Sequence, residues 1–249
     1  MEKAQNNIYL SVIIPAYNEE ERVKDTIMDI VRYLSKQDYS FEIVVVNDGS
    51  KDNTASVLKE LESTIYNLKF IDNNKNQGKG AVVKQGMLAA EGQYRLYADA
   101  DNAISINHIE KFWPYVKQGY NVVIGSIELP GSVQKERYIG FSKFYRNILG
   151  KLSKYLIRAL TIWDIHDTQR AFKLFTAEAA EKIFPKQTIM RWGFDIEILV
   201  IAKKLGYNIK ELPVTWINPP GKVNFMAYLK TLKELFQIKF NQLRGKYGV

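Results

Sequence analysis

Ile8-Tyr9-Leu10-Ser11-Val12-Ile13-Ile14, followed by Pro15-Ala16-Tyr17-Asn18-Glu19-Glu20, reads as a short apolar strand stopped by proline, then a turn and an acidic helix start. The same pattern returns downstream. Phe41-Glu42-Ile43-Val44-Val45-Val46 runs into Asn47-Asp48-Gly49-Ser50, and a helix opens near Asp52-Asn53-Thr54 and continues through Leu61. Leu68-Lys69-Phe70-Ile71 precedes a polar loop from Asn73 to Gly78 and a helix from about Gly80 to Ala90. Further strands are expected at Tyr94-Arg95-Leu96-Tyr97 and at Asn121 to Gly125, separated by a helix around Ile106 to Val116. Near-continuous β-branched runs alternating with amphipathic helices imply an α/β fold, a mostly parallel central sheet with helices on both faces. Ligands bind such sheets at the carboxyl ends of the strands, and Tyr17, Glu19, Asp48, Lys79, Asp99 and Asp101 all fall there.

In Tyr94-Arg95-Leu96-Tyr97-Ala98-Asp99-Ala100-Asp101 an apolar strand ends in two carboxylates that cannot both be buried without a cation. Such a pair suits Mg²⁺ or Mn²⁺, hard ions that prefer carboxylate and phosphate oxygen. Alone, Asp-x-Asp is more often a solvated strand-end turn than a metal site, so its context decides. His108 and His166 are the only histidines, and neither is assigned to a metal.

The 249 residues, 46% of them hydrophobic, suffice for one large core, and no linker or repeat marks a second domain. The expected division is a ligand-binding half over residues 8–125, a catalytic half over 126–218 and a basic amphipathic region over 222–249. The absence of cysteine excludes disulfides and thiolate metal sites. Met1 to Asn7 is polar, so no signal segment is expected, and no apolar stretch is long enough to span a membrane.

The net charge of +8 is concentrated: residues 132–158 carry +6 and residues 222–249 carry +5, leaving the remainder acidic. On a helical wheel Phe141, Phe144, Tyr145, Ile148, Leu152, Tyr155, Leu156 and Ala159 oppose Lys143, Arg146, Lys151, Lys154 and Arg158. Phe225, Tyr228, Leu229, Leu232, Leu235 and Phe236 similarly share a side. Two basic amphipathic helices fit an anionic membrane surface, each basic residue contributing ~1 kcal/mol, or a core-packed helix with a solvated back. A nucleic-acid partner is not expected, because no recognition motif accompanies the charge.

Ser11-Val12-Ile13-Ile14-Pro15-Ala16-Tyr17-Asn18-Glu19-Glu20, Val46-Asn47-Asp48-Gly49-Ser50, Asn76-Gln77-Gly78-Lys79-Gly80 and Asp99-Ala100-Asp101 resemble successive motifs of the family-2 inverting glycosyltransferases. Asp167-Thr168-Gln169-Arg170-Ala171-Phe172-Lys173-Leu174-Phe175, Arg191-Trp192-Gly193-Phe194-Asp195-Ile196-Glu197 and Glu211-Leu212-Pro213-Val214-Thr215-Trp216 narrow the resemblance to dolichyl-phosphate glucosyltransferases and related polyprenyl-phosphate enzymes. This resemblance implies the nucleotide-diphospho-sugar transferase (GT-A type) fold, a nucleotide-sugar donor, a polyprenyl phosphate acceptor and a peripheral position on the cytosolic face of a membrane. It implies that Pro15, Ala16, Tyr17 and Glu19 form the nucleotide floor, with Asp48, Lys79 and Asp99 as further contacts. Asp101, with Asp99, would hold Mg²⁺ or Mn²⁺. Asp167 would be the catalytic carboxylate, and Trp192 and Asp195, with Arg191 and Glu197, the next wall of the pocket. Ordinary structural roles stand beside each of these: strand end, tight turn, helix cap or buried aromatic.

The chain departs from the pattern at two places. Relatives often carry Gly-Ser-Arg after the fifth strand where this sequence has Gly125-Ser126-Ile127, and Cys-Gly-Phe where it has Arg170-Ala171-Phe172. Arg146, with Arg137 or Lys143, is therefore expected to bind the acceptor phosphate, whose oxygens match an arginine fork. Asn218-Pro219-Pro220-Gly221-Lys222 is a loop that could close over the donor. The expected reaction is inverting transfer of a hexose, glucose from UDP-glucose, to a lipid phosphate. GDP-mannose as donor, a glycan hydroxyl as acceptor, and an inactive sugar-nucleotide-binding module remain open alternatives.

Overall fold

A computed structural model describes residues 8–135, 155–217 and 225–248. Arg137, Lys143 and Arg146, most of the first basic amphipathic segment, and the loop from Asn218 to Lys222 lie outside the described residues. The sheet has seven strands: β1 (Leu10–Ala16), β2 (Phe41–Asn47), β3 (Leu68–Asp72), β4 (Tyr94–Tyr97), β5 (Val122–Ser126), β7 (Lys173–Thr176) and β8 (Ile209–Pro213), ordered β3-β2-β1-β4-β7-β5-β8. All neighbours pair in parallel except β7, which runs antiparallel to both β4 and β5. Two short strands, β6 (Val133–Lys135) and β9 (Thr215–Ile217), pair separately.

The β-branched runs are continuous because both faces of the sheet are covered. Along β1, Ile13 joins Val44, Val46, Val82, Val83 and Phe194 on one side, while Val12 and Ile14 join Ile27, Ile30, Ile43 and Val45 on the other. Each such side chain contributes about 1.5–3 kcal/mol on burial. Helix α1 (Val23–Leu34) turns Val23, Ile27, Ile30 and Leu34 inward at helical spacing. Helices α2 (Thr54–Thr64) and α3 (Lys79–Ala89) follow β2 and β3. On α3, Gly86 allows backbone contact with β1, since a Cβ there would lie 2.6 Å from Ile13 Cγ2.

The helix expected around Ile106 to Val116 is two pieces, a 3₁₀ segment Ile106–Lys111 and α4 (Trp113–Lys117). Pro114 lacks an N–H and suits only a first turn, so the α-helix restarts there. Residues 155–160 form α5, and α6 (Ala177–Ile183) and α7 (Phe194–Lys204) follow, the latter buried from Phe194 through Ala202. Helix α8 (Phe225–Leu243) divides the apolar face expected from sequence: Leu235 and Ile238 pack inward, while Leu232, Phe236, Phe240 and Leu243 are exposed. No described helix is long and apolar enough to cross a membrane.

Candidate active site

Strand β4 ends at Tyr97, and the chain then delivers Asp99 and Asp101 to the carboxyl edge of the sheet. Lys79, the first residue of α3, donates to Asp99 Oδ1 at 2.5 Å. Its ammonium lies between two aromatic rings, 5.6 Å from the centroid of Tyr97 and 5.5 Å from that of Trp192. Burial works against the Lys79 charge, but the charges of Asp99 and Asp195 outweigh it and raise its pKa. Burial, then the like charge of Asp99, raises the pKa of Asp101, offset in part by a 3.0 Å bond from the Ala103 N–H. Glu19 is raised by burial and by both aspartates, with Arg22 opposing at 2.7 Å. Three carboxylates thus crowd one edge faced by two cations.

That donor set fits a hard divalent cation, whose binding would relieve the repulsion recorded at Asp101 and Glu19. Among the described residues no three acidic or imidazole side chains form a metal cage. An ion at Asp99 and Asp101 would therefore complete its shell with phosphate oxygens and water, the usual manner of Mg²⁺.

Asp48 turns inward instead of outward. Its carboxylate accepts from Asn76 Nδ2 at 2.9 Å, the Gln77 N–H at 2.6 Å and the Gly78 N–H at 3.0 Å, which fixes the loop that presents Lys79. Burial raises its pKa and those backbone bonds oppose the shift. Gly78, at φ +103°, has Met190 O only 2.4 Å from where a Cβ would sit, so glycine is required there.

Across the edge, Asp167 is buried with Oδ2 accepting from the Ile127 N–H at 3.1 Å. Burial raises its pKa, and the nearby Arg170 opposes that. Glu211 on β8 holds the segment by accepting from the Asp167 N–H at 2.7 Å, the His166 N–H at 3.0 Å and, at 3.0 Å, His166 Nδ1. A small cleft lined by Asp99, Ile104, Gln169, Arg170 and Trp216 joins this region to the acidic edge.

The profile of "Glycosyl transferase family 2" matches residues 11–184. The chain belongs to this family. It is 37% identical over 257 residues to the dolichyl-phosphate beta-glucosyltransferase of Dictyostelium discoideum, covering 98% of this chain and 78% of that one. To the human protein of the same name it is 32% identical over 256 residues, covering 96% and 77%. Among solved structures, mannosyl-3-phosphoglycerate synthase from Rubrobacter xylanophilus superposes with a TM-score of 0.69 at 14% identity, over 96% of this chain and 75% of that one. S. aureus TarS in complex with UDP-GlcNAc gives a TM-score of 0.57 at 19% identity, over 93% and 66%. Both likenesses establish the GT-A fold, and the protein is a family-2 glycosyltransferase.

Within this family-2 transferase Pro15 and Ala16 are buried at the end of β1, while Tyr17 is exposed beyond them and free to stack. Trp192 reaches the edge through Lys79. Asp195 lies one layer below: it is buried against Lys173 at 2.5 Å, and burial pushes its pKa up to about 6 despite that partner. Glu197 is no wall of the pocket. It is fully buried and accepts from the Thr188 and Ile189 N–H groups and from the Tyr247 hydroxyl at 2.6 Å, locking the C-terminus to the 188–189 turn.

Sequence reasoning passed over Lys173 and Glu211 as site residues of the transferase. Lys173 is fully buried beneath the Tyr97 ring, 5.7 Å from its centroid, and also donates to Arg170 O. A lysine amid Ala171-Phe172 and Leu174-Phe175 was its only signal. Phe172, immediately before it, takes φ +85°, a conformation that costs a bulky residue of order 1–3 kcal/mol and is held by bonds to Tyr97 O and from the Gly125 N–H.

Proposed function

We propose that this family-2 glycosyltransferase moves glucose from UDP-glucose to a polyprenyl phosphate in one inverting displacement at the anomeric carbon. The observation that carries the reading is that two adjoining clefts, one lined by Asp99 of the acidic edge and the other by Asp167, share Gln169 and Arg170. The names of the curated relatives support glucose as the sugar transferred and dolichyl phosphate as its acceptor. Tyr17 stacks on the nucleotide, and Lys79 and Trp192 face the diphosphate and sugar. Asp101 and Asp99 would hold Mg²⁺ or Mn²⁺, which when bound supplies Lewis-acid stabilisation of the departing diphosphate.

A lipid monophosphate, with second pKa ~6, is already mostly ionised near neutral pH. Asp167 therefore orients this nucleophile, fixed by the Ile127 N–H and Glu211. Arg146, or else Arg137 or Lys143, would join the acceptor phosphate in this reading. Leu232, Phe236, Phe240 and Leu243 form an exposed stripe on α8 beside Lys239 and Arg244, which supports peripheral attachment to the cytosolic face of an anionic membrane.

The raised pKa of Asp167 favours one second reading, a hydroxyl acceptor for which the same carboxylate is the general base. Labelled UDP-glucose and GDP-mannose, each with and without short-chain polyprenyl phosphate, separate these. Lipid-linked glucose is the expected product. Product only with sugar acceptors, or only from GDP-mannose, would replace the reading, and binding without turnover would leave a binding module.

A further inference from the structure

Arg170 faces Asp167 through Nε alone, and the outer edge of its guanidinium is left open. It lies within both clefts on this side of the sheet, one shared with Asp99, Gln169 and Trp216, the other with Asp167, His166 and Arg158. Its guanidinium stacks on Trp216, 4.4 Å from the ring centroid, and its Nε sits 3.4 Å from Asp167 Oδ2 without the alignment of a hydrogen bond. No hydrogen bond links this guanidinium to another described residue. Nε faces Asp167, but the two Nη groups of this 28% exposed side chain donate to no described residue, which leaves that edge of the guanidinium open to an anion that is not part of the fold. Arg158, the other arginine of the second cleft, is already committed: its Nε and Nη2 both donate to Trp163 O, at 3.0 and 2.8 Å, and it stacks on the Trp163 ring.

The arginine is also held firmly. Lys173 donates to Arg170 O from below, and Trp216 packs over the guanidinium plane from the side. A planar, pre-oriented fork of this kind matches two oxygens of a phosphoryl group. It stands beside Asp167, so it can also screen that carboxylate from an incoming anion. Resting on the lipid-phosphate reading of the site, we propose that Arg170 binds the phosphate of the acceptor and places its attacking oxygen next to Asp167. Arg170 stands where relatives commonly carry a cysteine, one of the two places at which this chain departs from the family pattern.

The test measures steady-state transfer from UDP-glucose to short-chain polyprenyl phosphate by the full chain and by Arg170→Gln and Arg170→Lys, with thermal melts recorded alongside. Arg170→Gln, close in shape and still polar, is expected to raise the acceptor KM about ten- to hundredfold, the loss typical of a charge-assisted bond. The donor KM should stay within about twofold. Arg170→Lys, which keeps charge and loses the fork, should fall between the two. Inorganic phosphate should compete with the acceptor in the native chain and lose that competition in Arg170→Gln. An unchanged acceptor KM in folded Arg170→Gln, or a rise confined to the donor KM, would overturn the assignment while leaving the lipid-phosphate reading intact. Absence of any lipid-linked product from the native chain would overturn both. Should Arg170→Gln fail to fold, Arg170→Lys and the phosphate competition decide alone, and competition by phosphate against UDP-glucose instead of the lipid would refute the assignment.

Discussion

Lys173 and Asp195 meet at 2.5 Å with side chains 0% and 4% exposed, so removing either one leaves a charge in the core without its partner. Breaking such a pair costs about 3–5 kcal/mol, whereas replacing both members by apolar groups of similar volume is near neutral. For a chain of this length each kcal/mol moves the melting temperature by roughly 2–4 °C. Lys173→Met and Asp195→Leu should therefore each melt about 6–20 °C below the native chain, while the double variant recovers most of that loss. Acid gives an independent reading. The Asp195 pKa is about 6 in the folded chain, above its ordinary 3.8, so the carboxyl's stabilising contribution is greatest below the ordinary value and is lost as pH rises through 6. In Lys173→Met, which removes a counter-charge that holds that pKa down, the deficit should be larger at pH 7.5 and shrink toward pH 5. Calorimetric or circular-dichroism melts of the four proteins at both pH values complete the cycle. A double variant whose loss equals the sum of the single losses, or a Lys173→Met deficit that does not change with pH, would refute the pair as a coupled buried unit.

Asp101→Asn should abolish sugar transfer without unfolding the chain. Because burial and Asp99 raise the Asp101 pKa, the variant should melt higher than the native chain in metal-free buffer at neutral pH, with the gain vanishing below the ordinary carboxylate range. Full turnover by the variant, or by the native chain in chelator, would remove the cation role. Glu211→Gln loses acceptor capacity at the His166 and Asp167 N–H groups, so kcat should fall about tenfold or more with donor KM near native, a cost of about 1–3 kcal/mol for backbone donors left unpaired; stopped-assay kinetics over donor concentration check this. Phe236 and Phe240 are 57% and 50% exposed, so Phe236→Ser with Phe240→Ser should change stability by roughly 1 kcal/mol or less yet weaken cosedimentation with anionic vesicles. That cosedimentation should also fall with salt, and insensitivity to both changes would dismiss α8 as the attachment surface.

The fold was legible where burial is two-sided. Runs such as Ile43-Val44-Val45-Val46 are apolar at every position because a parallel sheet covered on both faces leaves no solvent side, and β1 to β5 follow from that pattern. Strand β7 was not legible. It has four residues, begins with a lysine, inserts antiparallel between β4 and β5, and follows Phe172, which takes a backbone region that a phenylalanine seldom occupies. The acidic edge could be read from Asp99 and Asp101, since carboxylates that end an apolar strand announce themselves. Pairings between distant positions could not, because nothing local in Asp195 reveals whether its partner is a ligand or a lysine 22 residues earlier in the chain.

The two lysines under this edge do different work for a physical reason. Lys173 and Asp195 have almost no contact with water, so either could change partners only by exposing the other to the interior uncompensated. Lys79 and Asp99 form an equally short pair, yet their side chains are 22% and 30% exposed, and solvent can take over whichever member is released. The lower pair is therefore fixed and carries Tyr97 above it, while the upper pair can open. A diphosphate arriving at the edge brings negative charge that Asp99 resists and Lys79 attracts. In the proposed function Lys79 would turn to the phosphates without leaving a buried charge behind, and Asp99 would then join Asp101 in holding a cation. On that reading binding of donor and cation would reinforce each other through one exchange of partners, with Lys173 and Asp195 as the rigid base beneath it.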